Sequence, residues 1–192
     1  MPPHNPSFHQ WRPRHRNCFF LDISRFTGTD EAAQAHRRAT VQNMVEHTAR
    51  DLDIRWRPGL HSDRGDGLAL VTKCGIEVLV HDLPWRLGGA VRRHNQTVAP
   101  DLQVRLRMAV DAGFLVRDHT GYSGDALNRA ARLLDAPEFK IAMRDQGAEF
   151  AVIISAELYE AIQGFHLLDD RKIGKVQVDV KETHTTAWMW TP

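Results

Sequence analysis

Residues 17–23 read Asn-Cys-Phe-Phe-Leu-Asp-Ile, a short and almost wholly apolar run bounded by polar neighbours, which predicts a buried strand. The period then changes. From Asp30 onward, Ala33, Ala39, Val41, Met44 and Val45 recur among Gln, Arg and His, and this predicts a helix capped by Asp30 and running to about Leu52. Residues 56–60 and 67–72 predict two strands flanking a polar hairpin tip at 62–66. A second helix is predicted over 83–95, with Asp82 as its cap and Pro84 tolerated in the first turn. Residues 103–114 predict a strand and 124–134 a third helix. The β-branched run at 150–154, a helical stretch at 156–163 and two strands at 175–181 and 186–190 complete the chain.

This order, β-α-β-β-α-β with additions, predicts an α+β fold: a ferredoxin-like βαββαβ core whose antiparallel sheet is covered by helices on one face. At 192 residues the chain predicts one domain with a substantial core. Residues 1–16, with Pro2, Pro3, Pro6 and Pro13 among His and Arg, predict a flexible N-terminal arm, which leaves 17–192 as the domain.

Charge narrows the class of partner. The 25 Lys and Arg nearly balance 24 Asp and Glu, so no global field favours nucleic acid or an anionic membrane surface. No run approaches the roughly 20 apolar residues of a spanning helix, and the N-terminus lacks a signal-peptide core. A soluble, cytoplasmic protein without membrane or nucleic-acid partner is the expectation. Cys18 and Cys74 make neither a disulfide framework nor a zinc spacing, which predicts reduced, structural thiols. The eleven histidines show no helical pair of the kind that holds zinc.

Candidate chemistry lies at two strand ends. Asp22 follows the first apolar strand and Asp66 sits in Arg64-Gly65-Asp66-Gly67, 44 positions later, a separation that fits one strand, one long helix and one returning strand. Two carboxylates presented in this way can share two divalent cations, and hard oxygen donors suit Mg²⁺ or Mn²⁺. Phe26, Thr27 and Gly28 follow the first acid where strand turns to helix, so their backbone N–H groups can cradle phosphates. Asn128 and Arg132 are four apart and share a helical face.

These segments, in this order, resemble the catalytic domain of the class III nucleotidyl cyclases. Asp22-Ile23-Ser24-Arg25-Phe26-Thr27 resembles the family's first metal motif, although Arg25 stands where the family prefers Gly. Gly65-Asp66 resembles the second. Leu106 to Gly113 matches a following strand, Gly124-Asp125-Ala126-Leu127-Asn128-Arg129-Ala130-Ala131-Arg132 the family's Asn and Arg helix, and Val178-Asp179-Val180-Lys181 a late strand ending in Lys. The likeness implies that Asp22, the Ile23 carbonyl and Asp66 hold two metal ions. It also implies that Asn128 orients the ribose and that Arg132 stabilises charge on the α-phosphate, both from across a homodimer interface. Arg107 and Lys181 resemble further phosphate contacts. The family's base-selecting positions fall on Ser62 and Gly121, neither of which carries the usual selector, so the base is not readable.

The implied activity is conversion of a nucleoside triphosphate to a 3′,5′-cyclic mononucleotide and pyrophosphate. A nucleotide-binding sensor with little or no turnover is the alternative that the missing selectors favour. A diguanylate cyclase relative is remote, since its Gly-Gly-Asp/Glu-Glu-Phe turn is lacking. With no receiver or membrane segment in sight, regulation is expected from a partner protein or from dimerisation itself.

Overall fold

The computed structural model describes residues 12–24, 26, 30–56, 61–63, 65–169, 172–180 and 183–192. Its elements are β1 (Arg14–Ile23), α1 (Glu31–Asp51), β2 (His61–Asp63), β3 (Gly67–Thr72), α2 (Leu83–Asn95), β4 (Leu106–Arg117), β5 (Tyr122–Ser123), α3 (Asp125–Asp135), α4 (Pro137–Asp145), β6 (Phe150–Ser155), α5 (Ala156–Ile162), β7 (Gly174–Val180) and β8 (Thr183–Trp190). The sheet runs β2-β3-β1-β4-β6-β8-β7, with β5 paired to the far end of β4. Every neighbouring pair is antiparallel except β4 and β6. The α+β class therefore holds.

Helices cover both faces of the sheet, where one covered face was expected. Phe19, Leu21 and Ile23 of β1 pack with Met108, Val110, Val152 and Ile154 beneath α1, α2 and α5. Cys18 and Phe20 turn the other way and join Ala109, Ile153 and Met189 beneath α3 and α4. The reason is visible in β1, whose last seven residues are all buried: a strand apolar at consecutive positions has two faces to bury. The second cover includes α4, an element missed in the sequence. Its signal was Pro137 at the first helical position with Phe139 and Met143 one turn apart, both buried.

Local chemistry accounts for the boundaries. The Asp30 carboxylate accepts from the Ala33 N–H at 2.9 Å and opens α1, as expected of an N-cap. Asp82 does not cap α2. It has helical dihedrals and makes no cap hydrogen bond, because a π-helical turn over Val78–Asp82 extends the helix upstream and buries Leu79 and Val80. Residues 54–56 form no strand and His61–Asp63 form β2, so Ser62 and Asp63 belong to a strand and not to a hairpin tip; residues 57–60 lie outside the described set. β1 begins at Arg14, three residues before the predicted start, and β4 runs on to Arg117.

Trp188 and Trp190 of β8 pack on the α1–α2–α5 side of the core, where Trp188 stacks on Tyr159 at 3.8 Å between ring centroids. Cys18 is fully buried, and burial above all pushes its thiol up to about 12, so it stays protonated and unreactive. Cys74 is also a free thiol. No helix among the described residues is long and apolar enough to cross a membrane.

Candidate active site

Asp22 and Asp66 come together because β1 and β3 are antiparallel neighbours. Asp22 pairs with Gly67 in the register, and the Ile23 N–H donates to the Asp66 carbonyl at 2.9 Å, which ties the two acid-bearing backbones directly. Gly67 has a steric reason to be glycine, since a Cβ there would overlap the Leu21 carbonyl oxygen. On the other side of β1, Asp22 pairs with Arg107 of β4, and the Ser24 N–H donates to the Arg105 carbonyl at 2.8 Å.

The two acids live in different environments. Asp66 is exposed at the mouth of a small recess with Gly65, Ile23 and Trp56. Asp22 is buried and fully engaged: Arg107 Nε donates to Oδ1 at 2.9 Å and Nη2 donates to Oδ2 at 2.7 Å. This is the two-pronged geometry that suits a guanidinium to a carboxylate. Burial nevertheless pushes the Asp22 carboxyl up to about 6; Arg107 opposes that rise, Asp66 adds to it and Lys140 weakly opposes it. Beside Arg107 a groove of about 350 Å³ is lined by Ser24, Arg105, Lys140 and Arg144. Three further cations, Arg105, Lys140 and Arg144, thus share a groove with Arg107. Sequence reasoning found Arg107 but not its pairing with Asp22, nor Arg105, Lys140 and Arg144.

Phe26, shortly after β1, is held to α1. The Phe26 carbonyl accepts from Arg37 Nη2 at 3.2 Å, and the Arg37 guanidinium lies 5.9 Å from the centre of the Phe26 ring. Thr27, Gly28 and Lys181 lie outside the described residues.

Asn128 and Arg132 stand on α3, the first exposed and the second half-buried. This helix starts beyond the far end of β4, where Gly124 abuts Leu115 and the Phe114 carbonyl. It does not place Asn128 in the pocket beside Asp66 or in the groove beside Arg107. Between them in sequence, Arg129 reaches back to the fully buried Asp111 of β4, Nε to Oδ2 at 2.8 Å. Asp111 also accepts from Ser155 Oγ at 2.9 Å and from the Ala112 N–H at 2.8 Å. Burial pushes its carboxyl above the ordinary range, while Arg129 and the two other donors oppose that. This network pins α3 against β4 and β6, and therefore fixes Asn128 and Arg132. A lone acid inside an apolar strand demands a partner, and that rule applied to Asp111 would have found it.

Ser62 pairs with Ala69 in β2. Gly121 closes the β4–β5 turn with φ of +137°, a backbone conformation in which a side chain is strained although the space around it is open. Asp118 Oδ1 holds that turn, accepting from the N–H groups of Thr120 at 2.7 Å and Gly121 at 3.1 Å.

No family model matches the chain, and no curated relative matches its sequence. Solved structures do match. The adenylate/guanylate cyclase/hydrolase of Silicibacter pomeroyi superposes with a TM-score of 0.61 at 16% identity, over 94% of this chain and 99% of that one. A bacterial light-regulated adenylyl cyclase gives 0.67 at 11% identity, over 96% of this chain and 54% of that one. The monomeric guanylyl cyclase domain of the RhoGC fusion protein from the fungus Blastocladiella emersonii gives 0.60 at 13%, over 94% and 97%. The chain has the class III nucleotidyl cyclase fold. Within this cyclase fold, the acid pair sits where the end of β1 meets the start of β3, and Asp22 alternates with Cys18 and Phe20 onto the sheet face that α3, the Asn–Arg helix, also covers.

Proposed function

We propose that this cyclase-like protein is a nucleotidyl cyclase that converts a nucleoside triphosphate to a 3′,5′-cyclic mononucleotide and pyrophosphate. In that reaction the ribose 3′ oxygen gives up its proton to solvent and bonds to the α-phosphorus. The α–β phosphoanhydride bond breaks, and its electron pair leaves with pyrophosphate. The observation that carries the reading is the β1–β3 register, which joins Asp22 to Asp66 on a fold otherwise found in adenylyl and guanylyl cyclases.

The donor set fits hard divalent cations: two carboxylates and the backbone of Ile23, all oxygen ligands, as Mg²⁺ or Mn²⁺ prefers. Bound there, two such ions would lower the charge cost at the attacking and leaving oxygens. The chain's own residues do the rest. Each oxygen of Asp22 accepts one hydrogen bond from Arg107 and keeps a second lone pair for a cation, and the Arg107 guanidinium borders the groove with Arg105, Lys140 and Arg144, where it can also take a phosphate oxygen. Phe26, Thr27 and Gly28 are assigned to the phosphate loop and Lys181 to a further phosphate contact. Asn128 would orient the ribose and Arg132 would meet the charge on the α-phosphate, both from the second chain of a homodimer. Ser62 and Gly121 are assigned to the base-selecting positions. A cytoplasmic location and a regulatory protein partner complete the proposal.

One observation favours a second reading, a nucleotide sensor with little turnover. Arg107 bonds both oxygens of Asp22, which offsets the charge of that buried acid without a metal. Pyrophosphate release, measured beside nucleotide binding with Mn²⁺ present, separates the two. Release that depends on Asp66 supports the cyclase; binding without release supports the sensor.

A further inference from the structure

The start of β1 carries a second concentration of charge, far from the acid pair. Asp22 lies eight residues along the strand from Arg14, so the two positions are about 26 Å apart at the rise of an extended chain. Here a cleft of about 640 Å³ is lined by Arg12, Arg14, Arg16, Arg55, Lys73 and Arg117, and Asp53 is the one acid on its wall. The chain as a whole is nearly neutral at +1, so these cations are a local gathering and not part of a basic surface.

The sheet builds this gathering. Alternation along β1 sends Arg14 and Arg16 to the same side as Cys18 and Phe20, and the register sets Arg14 opposite Leu115, two residues from Arg117 on the same side of β4. Val71 of β3 and Leu115 give the cleft an apolar floor. Among the described residues no carboxylate pairs with any of the six cations. Arg16 donates from Nη1 to the His15 carbonyl, but its Nε is buried and has no hydrogen-bond partner. The Arg117 guanidinium lies 5.5 Å from the centre of the Tyr122 ring, so one wall pairs a cation with an aromatic plane. Six cations around one concavity, with no carboxylate partner among the described residues, repel one another, and an anion that enters relieves this.

We infer that this cleft binds a small oligophosphate, and that a nucleotide with two or more phosphates is the class that uses it fully. Guanidinium groups match phosphate oxygens, and Tyr122 beside Arg117 offers a face for a base. The volume is that of a small-ligand site. A nucleic acid calls instead for a basic stripe across an open surface, and the near-neutral chain provides none. The site is separate from the acid pair and needs no metal ligand, so it stands whether or not the chain cyclises nucleotides.

Titration calorimetry on the full chain in EDTA, at physiological ionic strength, tests this with tripolyphosphate, ATP and adenosine as probes. The expected result is one site per chain that takes tripolyphosphate, takes ATP more tightly, and ignores adenosine. Asp66→Ala should leave binding unchanged. Arg14→Ser with Arg117→Ser, both exposed positions, should weaken it by at least about tenfold, the scale of one charge-assisted hydrogen bond. Lys73→Ala, also exposed, should weaken it in the same direction and serves if the double variant does not fold. No heat from tripolyphosphate or ATP up to about millimolar concentration, the weakest affinity a specific site would show, overturns the inference. So does binding that Asp66→Ala abolishes, or binding indifferent to Arg14, Arg117 and Lys73. Single-stranded oligonucleotide bound more tightly than ATP, with the same arginine dependence, replaces it with a nucleic-acid surface.

Discussion

Arg107 holds Asp22 through two hydrogen bonds, Nε to Oδ1 at 2.9 Å and Nη2 to Oδ2 at 2.7 Å, and both side chains are buried. A buried pair of this kind is costly to break from one side, because the remaining charge is stranded. Arg107→Ala should therefore lose about 3–5 kcal/mol of stability at pH 8, the range for an orphaned buried charge. The sign with pH follows from Asp22. Its folded carboxyl already sits near 6, above its ordinary value of 3.8, so the native state favours the proton, and the variant should favour it more. The loss should shrink as the pH falls from the variant's raised Asp22 value toward about 6 and level off below it, where Asp22 is neutral in both folded proteins. Denaturant unfolding of both proteins across pH 5 to 8 checks this, and a pH-independent loss would count against a charged Asp22 partner.

The same carboxyl sets the acid side of any metal-supported activity. Only the deprotonated Asp22 is a cation ligand, so turnover should fall as pH drops through about 6 and be full above it. More Mn²⁺ should move the midpoint to lower pH, since the ion competes with the proton. A pH profile at two metal concentrations would show this; a limb near 4 that ignores metal would exclude Asp22 as the titrating group.

Asp66 is exposed and Asp22 is not, which makes Asp66 the cleaner probe of the metal site. Asp66→Ala should leave the melting temperature within about 1 °C, since exposed substitutions shift stability little, while turnover falls by orders of magnitude. Activity that survives in this variant removes the acid pair from the mechanism.

Shared sites predict rescue. Asp66→Ala and Arg132→Ala should each be inactive, yet mixing them should regenerate one intact site in each heterodimer. Recovery should approach about a quarter of wild type, because about half the dimers are mixed and each of these has one working site of two. Folded, exchanged subunits that stay inactive would exclude a composite site.

Ser62 and Gly121 offer no carboxylate or ammonium to read a base, and strong rejection needs a buried polar group that the wrong base leaves unpaired. The four triphosphates should then compete within about a hundredfold in affinity. A thousandfold preference in competition binding would mean that another residue reads the base. Ser62→Lys is the variant to try first, because the φ of +137° at Gly121 strains any side chain placed there.

Element type was legible wherever one residue pattern had one meaning. The apolar run at Cys18–Ile23, the Asp30 cap and the face shared by Asn128 and Arg132 all stand in the folded chain. What failed was mostly non-local. Whether helices cover one face of the sheet or two depends on packing partners remote in sequence, although consecutive buried positions in β1 already carried the clue. The Asp22–Arg107 pair spans 85 residues and the Asp111–Arg129 pair joins a strand to a helix, so neither spacing shows it. Asp82 failed for a local reason: a good capping residue is overridden when Leu79 and Val80 draw the preceding turn into the core.

The most direct test of the cyclase reading is mass detection of products after incubation with each of the four nucleoside triphosphates and Mn²⁺, with Asp66→Ala as the blank. The account predicts a 3′,5′-cyclic mononucleotide and an equal amount of pyrophosphate from at least one triphosphate, absent from the Asp66 variant. Triphosphate recovered intact by a folded protein that binds it, or converted only to the diphosphate and phosphate, would contradict it.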